Sequence, residues 1–282
     1  MSDAGRVVSR LEPRDVPAAL RLSTQAGWNQ LEADWLRLMA LWPDACFALR
    51  DDEGEVIATS TLASFGGVGW VGMVLVDESL RGRGLGGTVF GAALTAGEGL
   101  DCVGLDATDL GRPVYEKHGF VPQVVINRWG GTVPRPCQCC ARPALEDDWP
   151  EIEGFDHIAS GVDRSPLLRA MSREPGACLR VIDSGDGLEG FGLSRPGRVA
   201  AHVGPVVARS PDVAMELVES LCEERHVFID VLEQPGDDEF AQALRAHGFC
   251  VLRRLTRMAR PARPQSLLAG PGVYATAGLE LG

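Results

Sequence analysis

The sequence carries no block of lysines or arginines, and its acidic residues outnumber the basic ones, 39 against 27, for a formal net charge of −12. A surface that acidic repels nucleic acid and anionic membranes and attracts cations, so neither nucleic acid nor membrane is expected as a partner. No apolar run approaches the roughly 18–20 residues of a membrane span. The stretch Met1–Arg6 lacks the apolar core of a signal peptide, and a cytoplasmic protein is expected. Paired cysteines are missing as well. Cys46, Cys102, Cys178, Cys222 and Cys250 are scattered through apolar stretches, the pattern of buried thiols in a reducing compartment. Only Cys137-Gln138-Cys139-Cys140 forms a cluster, and no second Cys or His pair nearby completes the four ligands of a structural zinc. No metal is expected, and an oxidisable linker is the reading of that cluster. Tyrosine is almost absent, with two in 282 residues.

What is present is the mixture of a folded protein, 45% hydrophobic and 23% charged. Its length suits two domains at roughly 100–200 residues each. Pro134, Pro136, Pro143 and Pro150 crowd the stretch between Gly130 and Pro150, where neither helix nor ladder survives. A division there gives residues 1–133 and 134–282. The first half alternates strands and helices: a short strand over Arg6–Leu11, a helix opened by Pro13-Arg14-Asp15 and running to Gln25, and a second helix over Leu31–Leu41. Strands follow over Cys46–Arg50, Val56–Ser64 and Trp70–Val76, then a helix over Gly86–Ala96, a strand over Cys102–Ala107 and a short helix over Pro113–His118. The order predicts a mixed α/β domain.

The second half echoes the first. Val71-Gly72-Met73-Val74-Leu75-Val76 is matched by Val203-Gly204-Pro205-Val206-Val207-Ala208, Leu105-Asp106 by Ile229-Asp230, and His118-Gly119-Phe120 by His247-Gly248-Phe249. Gly72 to Gly119 spans 47 residues and Gly204 to Gly248 spans 44. Ordered matches at similar spacing point to an internal duplication.

The sharpest motif is Val74-Leu75-Val76-Asp77-Glu78-Ser79-Leu80-Arg81-Gly82-Arg83-Gly84-Leu85-Gly86-Gly87. A buried strand runs into a glycine loop whose amides can converge on one anion. The next helix adds its N-terminal dipole, and Arg81 and Arg83 add charge. The loop is built for phosphate. Gly82-x-Gly84-x-x-Gly87 also matches the dinucleotide fingerprint, with Asp101 or Asp106 as its acidic partner. A Rossmann unit opens its domain on this turn, whereas here two helices and three strands come first. The residues alone leave both anions open.

The run Arg81–Gly86 resembles the acetyl-CoA pyrophosphate loop of the GNAT superfamily of N-acetyltransferases, and Tyr115-Glu116-Lys117-His118-Gly119-Phe120 is similar to that family's Tyr-x-x-x-Gly-Phe segment. The whole chain resembles tandem proteins of the family. The resemblance implies two GNAT-like domains, each a mixed, largely antiparallel sheet flanked by helices, with acetyl-CoA as cosubstrate. It implies that Val74, Leu75 and Val76 hydrogen-bond the pantetheine arm, that Arg81, Gly82, Arg83, Gly84, Leu85, Gly86 and Gly87 hold the pyrophosphate, and that Thr108 stands at a CoA-contacting position. Tyr115 would protonate the departing thiolate. The loop Gln25–Gln30, with Trp28 and Asn29, would meet the amine acceptor, a small molecule or an exposed peptide amine. The carboxylate base of some members is replaced by Val103, leaving water, Glu32, Asp34 or His118 as substitutes. Arg209-Ser210-Pro211-Asp212 stands where the second half would need its own loop, and Leu244 where it would need its tyrosine, so the second half is expected to be non-catalytic.

Three functions compete: an acetyl-CoA-dependent N-acetyltransferase acting by direct attack in a ternary complex, an idle acyl-CoA-binding regulator, and an NAD(P)-dependent oxidoreductase. Trp35 and Trp42 are expected in the core. His157–Ser165 reads as a polar loop that could close over the first half's cleft. Tyr274–Gly278 reads as a last strand or an insertion into that cleft.

Overall fold

The computed structural model describes residues 7–133, 140–185, 187–222, 225–233, 238–261 and 268–282. By their contacts they form two compact units, one within Met1–Val103 together with Gly197–Val199, the other within Gly104–Pro196 and Ala200–Gly282.

The smaller unit is a four-stranded antiparallel sheet with three helices. Its strands are β1 (Val8–Arg10), β2 (Cys46–Arg50), β3 (Val56–Phe65) and β4 (Val68–Val76), paired in chain order, with Ser9 opposite Ala48, Phe47 opposite Ser60 and Leu62 opposite Val71. Helix α1 (Val16–Gln25) follows a short turn in which the Glu12 N–H donates to Asp15 Oδ2 at 2.8 Å. Helix α2 (Glu32–Leu41) opens where the Leu31 N–H donates to Asp34 Oδ2 at 2.8 Å, and it buries Trp35, Leu38 and Met39 at helical spacing. Helix α3 (Leu85–Ala96) packs Leu85 and Val89 against Leu49, Ile57 and Ala58.

The larger unit takes the last four residues of β5 (Cys102–Ala107), then α4 (Arg112–Lys117), β6 (Val121–Gly131), β7 (Arg142–Pro143), α5 (Trp149–Ser160) and α6 (Ser165–Ser172). After these come β8 (Cys178–Ser184), β9 (Gly187–Arg195), β10 (Ala201–Ala208), α7 (Pro211–Cys222), β11 (Val227–Leu232), α8 (Glu239–Ala246), β12 (Cys250–Arg260) and β13 (Val273–Ala275). The strand order is β5-β12-β6-β11-β10-β9-β8-β7, with β13 on β10. β10 and β11 run parallel, and β6 is antiparallel to both its neighbours. Successive side chains of β10 serve opposite faces: Val206 joins α7 and α8 in one core with Leu217, Leu221, Phe240 and Leu244, and Val207 joins α5 and α6 in another with Ile152, Leu168 and Phe191.

The sequence reading overlooked β6, because its eleven residues run straight into the proline-rich stretch. This strand, from the first half, lies between β11 and β12 of the second. That insertion draws the chain from Gly104 onward into the larger unit. Arg128 of β6 faces Asp230 of β11 in register and grips both carboxylate oxygens at 2.8 Å. A parallel clasp joins Arg257 of β12 to Asp106 of β5, both distances 2.9 Å.

The thiols depart in part from expectation. Cys46, Cys102 and Cys222 are buried, and burial pushes Cys46 and Cys222 up to about 12. Cys178 is half-buried and Cys250 exposed, since each opens a strand at the rim of its sheet. Cys137 and Cys139 lie outside the described residues, and Cys140 is exposed. Among the described residues no cluster of three or more His, Cys, Asp or Glu is arranged to hold a metal. The stretch read as a polar loop is the last turn of α5 and a short link to α6, fastened by the buried pair Arg164–Asp156 at 2.6 and 3.0 Å. Among the described residues no helix is long and apolar enough to cross a membrane.

Arg128→Met would strand the fully buried Asp230 carboxylate beside an apolar chain. Breaking one partner of a buried pair costs about 3–5 kcal/mol, so the urea midpoint is expected to fall steeply. A midpoint within experimental error of wild type would show that the clasp contributes no net stability.

Candidate active site

The glycine motif forms a continuous strand–loop–helix. Past Val76 the chain turns at Asp77, whose Oδ1 accepts from the Ser79 N–H at 3.0 Å and the Ser79 hydroxyl at 2.7 Å. The Ser79 hydroxyl, with help from the backbone and Gln25, holds the Asp77 carboxyl below its ordinary range despite partial burial. Arg81, Gly82, Arg83 and Gly84 are all exposed. Gly82 and Gly84 have φ of +79° and +84°, a left-handed conformation that costs other residues roughly 1–2 kcal/mol. Gly84 caps α3, and the Thr88 N–H to the Gly84 carbonyl, at 3.1 Å, closes the first turn. The N–H groups of Leu85, Gly86 and Gly87 therefore lie ahead of the intrahelical ladder. Leu85 anchors the helix start in the core. Amides free of the ladder at a helix N-terminus, just after the exposed Arg81 and Arg83, fit a diphosphate.

The strand leading into the loop is not regular. Between Thr59–Leu75 and Thr61–Gly72 the β3–β4 register slips by one residue, and Met73 sits at φ +51° although it is buried. A buried non-glycine residue in the left-handed region is held by its surroundings. Here the Thr59 hydroxyl donates to the Met73 carbonyl at 2.8 Å, and the neighbouring Ser60 hydroxyl fastens β3 to the Val89 carbonyl of α3 at 2.7 Å. A bulge of this kind re-aims the strand beyond it, so it sets the direction of Val74–Val76. In sequence this run reads as a nearly continuous apolar strand. Gly72 inside an apolar strand was the available signal.

Trp28 and Asn29 also belong to the smaller unit. Trp28 is half-buried in the α1–α2 loop, its N–H bonded to the Ser23 carbonyl at 2.9 Å. Asn29 is buried. Its Oδ1 accepts from the Val199 N–H at 2.8 Å and its carbonyl from the Arg198 N–H at 2.9 Å, while Arg198 Nε donates to the Trp28 carbonyl at 2.9 Å. Residues 197–199, contributed by the second half, thus hold the loop. No sequence signal marked them, because the contacts span about 170 positions. Trp35 is in the core as expected, and Trp42 is half-buried, its ring edge-on to Phe65 at 5.4 Å. Asp34 is bonded to Arg37 at 2.6 Å as well as capping α2, which commits it to structure. Glu32 is exposed.

Thr108 and Tyr115 lie in the larger unit. The Thr108 hydroxyl oxygen accepts from the Gly111 N–H at 3.1 Å, which starts α4. Tyr115 is half-buried, its ring 6.4 Å from that of buried Phe120. Desolvation pushes its phenol up to about 12, so it holds its proton throughout the neutral range and can act as a donor. A Cβ at Gly111 would stand 3.0 Å from Tyr115 Cε2, 3.3 Å from its hydroxyl and 3.4 Å from Thr108 Oγ1. Both hydroxyls therefore flank the one residue without a side chain. Val103 is buried in β5, and the carbonyl of half-buried His118 accepts from Arg260 at 3.0 Å.

Two family models match. The acetyltransferase (GNAT) family covers residues 17–120, and an acetyltransferase (GNAT) domain covers residues 152–267. The uncharacterized N-acetyltransferase YitH of Bacillus subtilis (strain 168) is 29% identical over 216 residues, 75% of this chain and 76% of that protein. A solved chain from Pyrococcus horikoshii is similar in fold over 100% of this chain and 98% of its own, with TM-score 0.84 and 22% identity. A tandem GNAT protein from the clavulanic acid biosynthesis pathway aligns with TM-score 0.64 and 14% identity over 92% of this chain and 99% of that one.

Thr59→Val keeps the shape but leaves the Met73 carbonyl without its donor, which costs about 1–3 kcal/mol. Thermal denaturation is expected to show the loss, together with a weaker affinity for whatever β4 binds; an unchanged Tm and affinity would mean the bulge stands without the hydroxyl.

Proposed function

The chain belongs to the GNAT family of acetyl-CoA-dependent N-acetyltransferases, with one such domain matched in each half, and on that premise we propose that it transfers acetyl to a primary amine by direct attack in a ternary complex. The observation that carries the reading is the loop at the end of the bulged β4, where Gly82 and Gly84 turn left-handed ahead of α3 and Arg81 and Arg83 stand exposed. We assign residues 1–133 as the catalytic domain and residues 134–282 as a divergent, non-catalytic one.

In this reading Arg81, Gly82, Arg83, Gly84, Leu85, Gly86 and Gly87 hold the donor's diphosphate through backbone amides and charge. Val74, Leu75 and Val76 present main-chain groups to its extended arm, and the N–H groups at the end of that strand steady the negative charge that develops on the thioester oxygen. The acceptor attacks as a free amine, so its proton must leave first; a lysine-like amine has a pKa near 10.4 in water. The C–N bond forms, the nitrogen then gives up a proton to water, the C–S bond breaks, and the thiolate takes a proton from Tyr115, which regains one from solvent. Trp28 offers an apolar wall for the acceptor, a small molecule or a peptide amine, and Asn29, bonded to residues 198 and 199, keeps the loop in place. Thr108 starts α4 and thereby sets the pose of Tyr115. A metal has no part in these steps. The acidic chain attracts cationic amines and repels nucleic acid and membranes. The free thiols of the described residues favour the cytoplasm.

Thiol release from acetyl-CoA over a panel of amines, polyamines, amino acids and peptide N-termini tests the activity. CoA binding without turnover on any amine would favour the idle regulator. Tyr115→Phe is expected to lower kcat by about 10²-fold or more and to leave the Kd for acetyl-CoA nearly unchanged; an unaltered kcat would remove Tyr115 from the mechanism. The pH profile adds a separate check. An acid whose pKa is raised keeps its proton to higher pH, so with Tyr115 near 12 the rate should climb as the amine deprotonates, with no alkaline decline below about pH 10. A falling limb near pH 8 would contradict the assignment.

A further inference from the structure

β10 pairs in parallel with β11 only over Ala201–Val203, against Val227–Ile229. Its register against β9 then slips between Val203 and Val206, so β10 carries an irregularity at Gly204–Pro205. In the internal repeat this is the position of Gly72–Met73, where β4 has its bulge. Beyond it, β9 keeps one edge of β10, with Val206 opposite Gly192 and Val207 opposite Phe191. The other edge, toward β11, is taken by β13. Val206 faces Ala275, Val207 faces Val273, and the Ala208 N–H donates to the Gly272 carbonyl at 2.9 Å. On its far side the same segment reaches β11, the Thr276 N–H donating to the Asp230 carbonyl at 2.9 Å.

The segment fits closely. Ala275, Thr276 and Ala277 are buried, and Tyr274 meets the Phe240 ring at 5.1 Å. Arg195 fastens the chain beyond, donating to the Ala277 carbonyl at 3.0 Å and to Glu280 Oε1 at 3.2 Å. A Cβ on Gly204 would collide with the Thr276 carbonyl oxygen, so only glycine admits the strand.

Val206, Val207 and Ala208 are the repeat counterparts of Val74, Leu75 and Val76. We propose that residues 272–276 are the resident occupant of the second half's substrate-arm slot, an extended peptide standing where an extended thioester arm would lie, so that the second half takes no acyl-CoA and the chain binds one molecule of it. The comparison with the first half rests on the acetyl-CoA reading above; the occupancy itself does not. A strand that has parted from its neighbour inside a folded unit leaves N–H and C=O groups that must find partners. A bound substrate can supply them, or the chain can. A tethered strand competes at an effective concentration in the millimolar range. An external acyl-CoA would have to displace it without a phosphate cradle, since Arg209-Ser210-Pro211-Asp212 follows β10.

Hydrogen–deuterium exchange on the intact chain, with and without acetyl-CoA, tests this. Residues 206–208 and 273–276 should be protected before any addition and unchanged by saturating acetyl-CoA, while 74–76 slow. Calorimetry should give one equivalent per chain. Fast exchange at 206–208 that acetyl-CoA suppresses, or two equivalents bound, would overturn the proposal. If acetyl-CoA changes neither strand while 206–208 remain protected, the occupancy is upheld and the acetyl-CoA reading of the first half falls. Gly204→Ala should speed exchange at 273–276 at least about tenfold, with the first half's response to acetyl-CoA as the control for folding. Undiminished protection there would count against the close fit on which the assignment rests.

Discussion

One strand of the first half, β6, is hydrogen-bonded on both edges to strands of the second, and much of the larger unit is organised around it. Ten of its eleven residues find partners in β11 and β12, and across that seam Arg128 reaches the fully buried Asp230. Burial alone would raise the Asp230 carboxyl; the Arg128 guanidinium and the His202 ring beside it outweigh that and hold it well below its ordinary range. The same burial keeps His202 below its usual value, so it stays neutral against an ionised aspartate. Thr276 bonds to the carbonyl of this same Asp230. The aspartate thereby ties a first-half strand and the C-terminal segment to one residue of β11.

In the smaller unit the comparable constraint is the bulge at Met73. A left-handed methionine is an unfavourable choice in isolation. It persists because Thr59 supplies a donor where the displaced carbonyl needs one and because α3, anchored through Ser60, fixes the strand beside it. The strand direction, the loop and the start of α3 then follow as one piece.

Much of this was legible in the residues. Glycines that must turn left-handed announce themselves, so the loop from Arg81 to Gly87 and the helix behind it were read nearly in place. Periodicity gave α1, α2 and β1–β5, since each buries a stripe or a face of recognisable spacing. Three features were not legible, each for its own reason. β6 shares its end with prolines and has its partners 96 or more residues away. The bulge changes the backbone without changing the apolar pattern, leaving Gly72 as its only trace. The contacts of Arg198 and Val199 with the Trp28–Asn29 loop join positions whose local sequences carry no mark of each other. Tyr274–Gly278 reads as a last strand or an insertion into the first half's cleft; Val273–Ala275 form a strand, and its place beside β10 follows from the pairing rather than from composition.

The seam at β6 bears on how such a gene can change. A second domain whose β10 runs into Arg209-Ser210-Pro211-Asp212 rather than into a glycine loop would be free to decay if it stood alone, and a premature stop is the shortest route to losing it. Here a stop between Gly131 and Val227 removes β11 and β12 together and bares both edges of an eleven-residue strand, the kind of surface that seeds aggregation. It also takes away Arg257, the partner of the buried Asp106. Selection on the first half therefore preserves the second, and the pair are inherited as a single evolutionary unit.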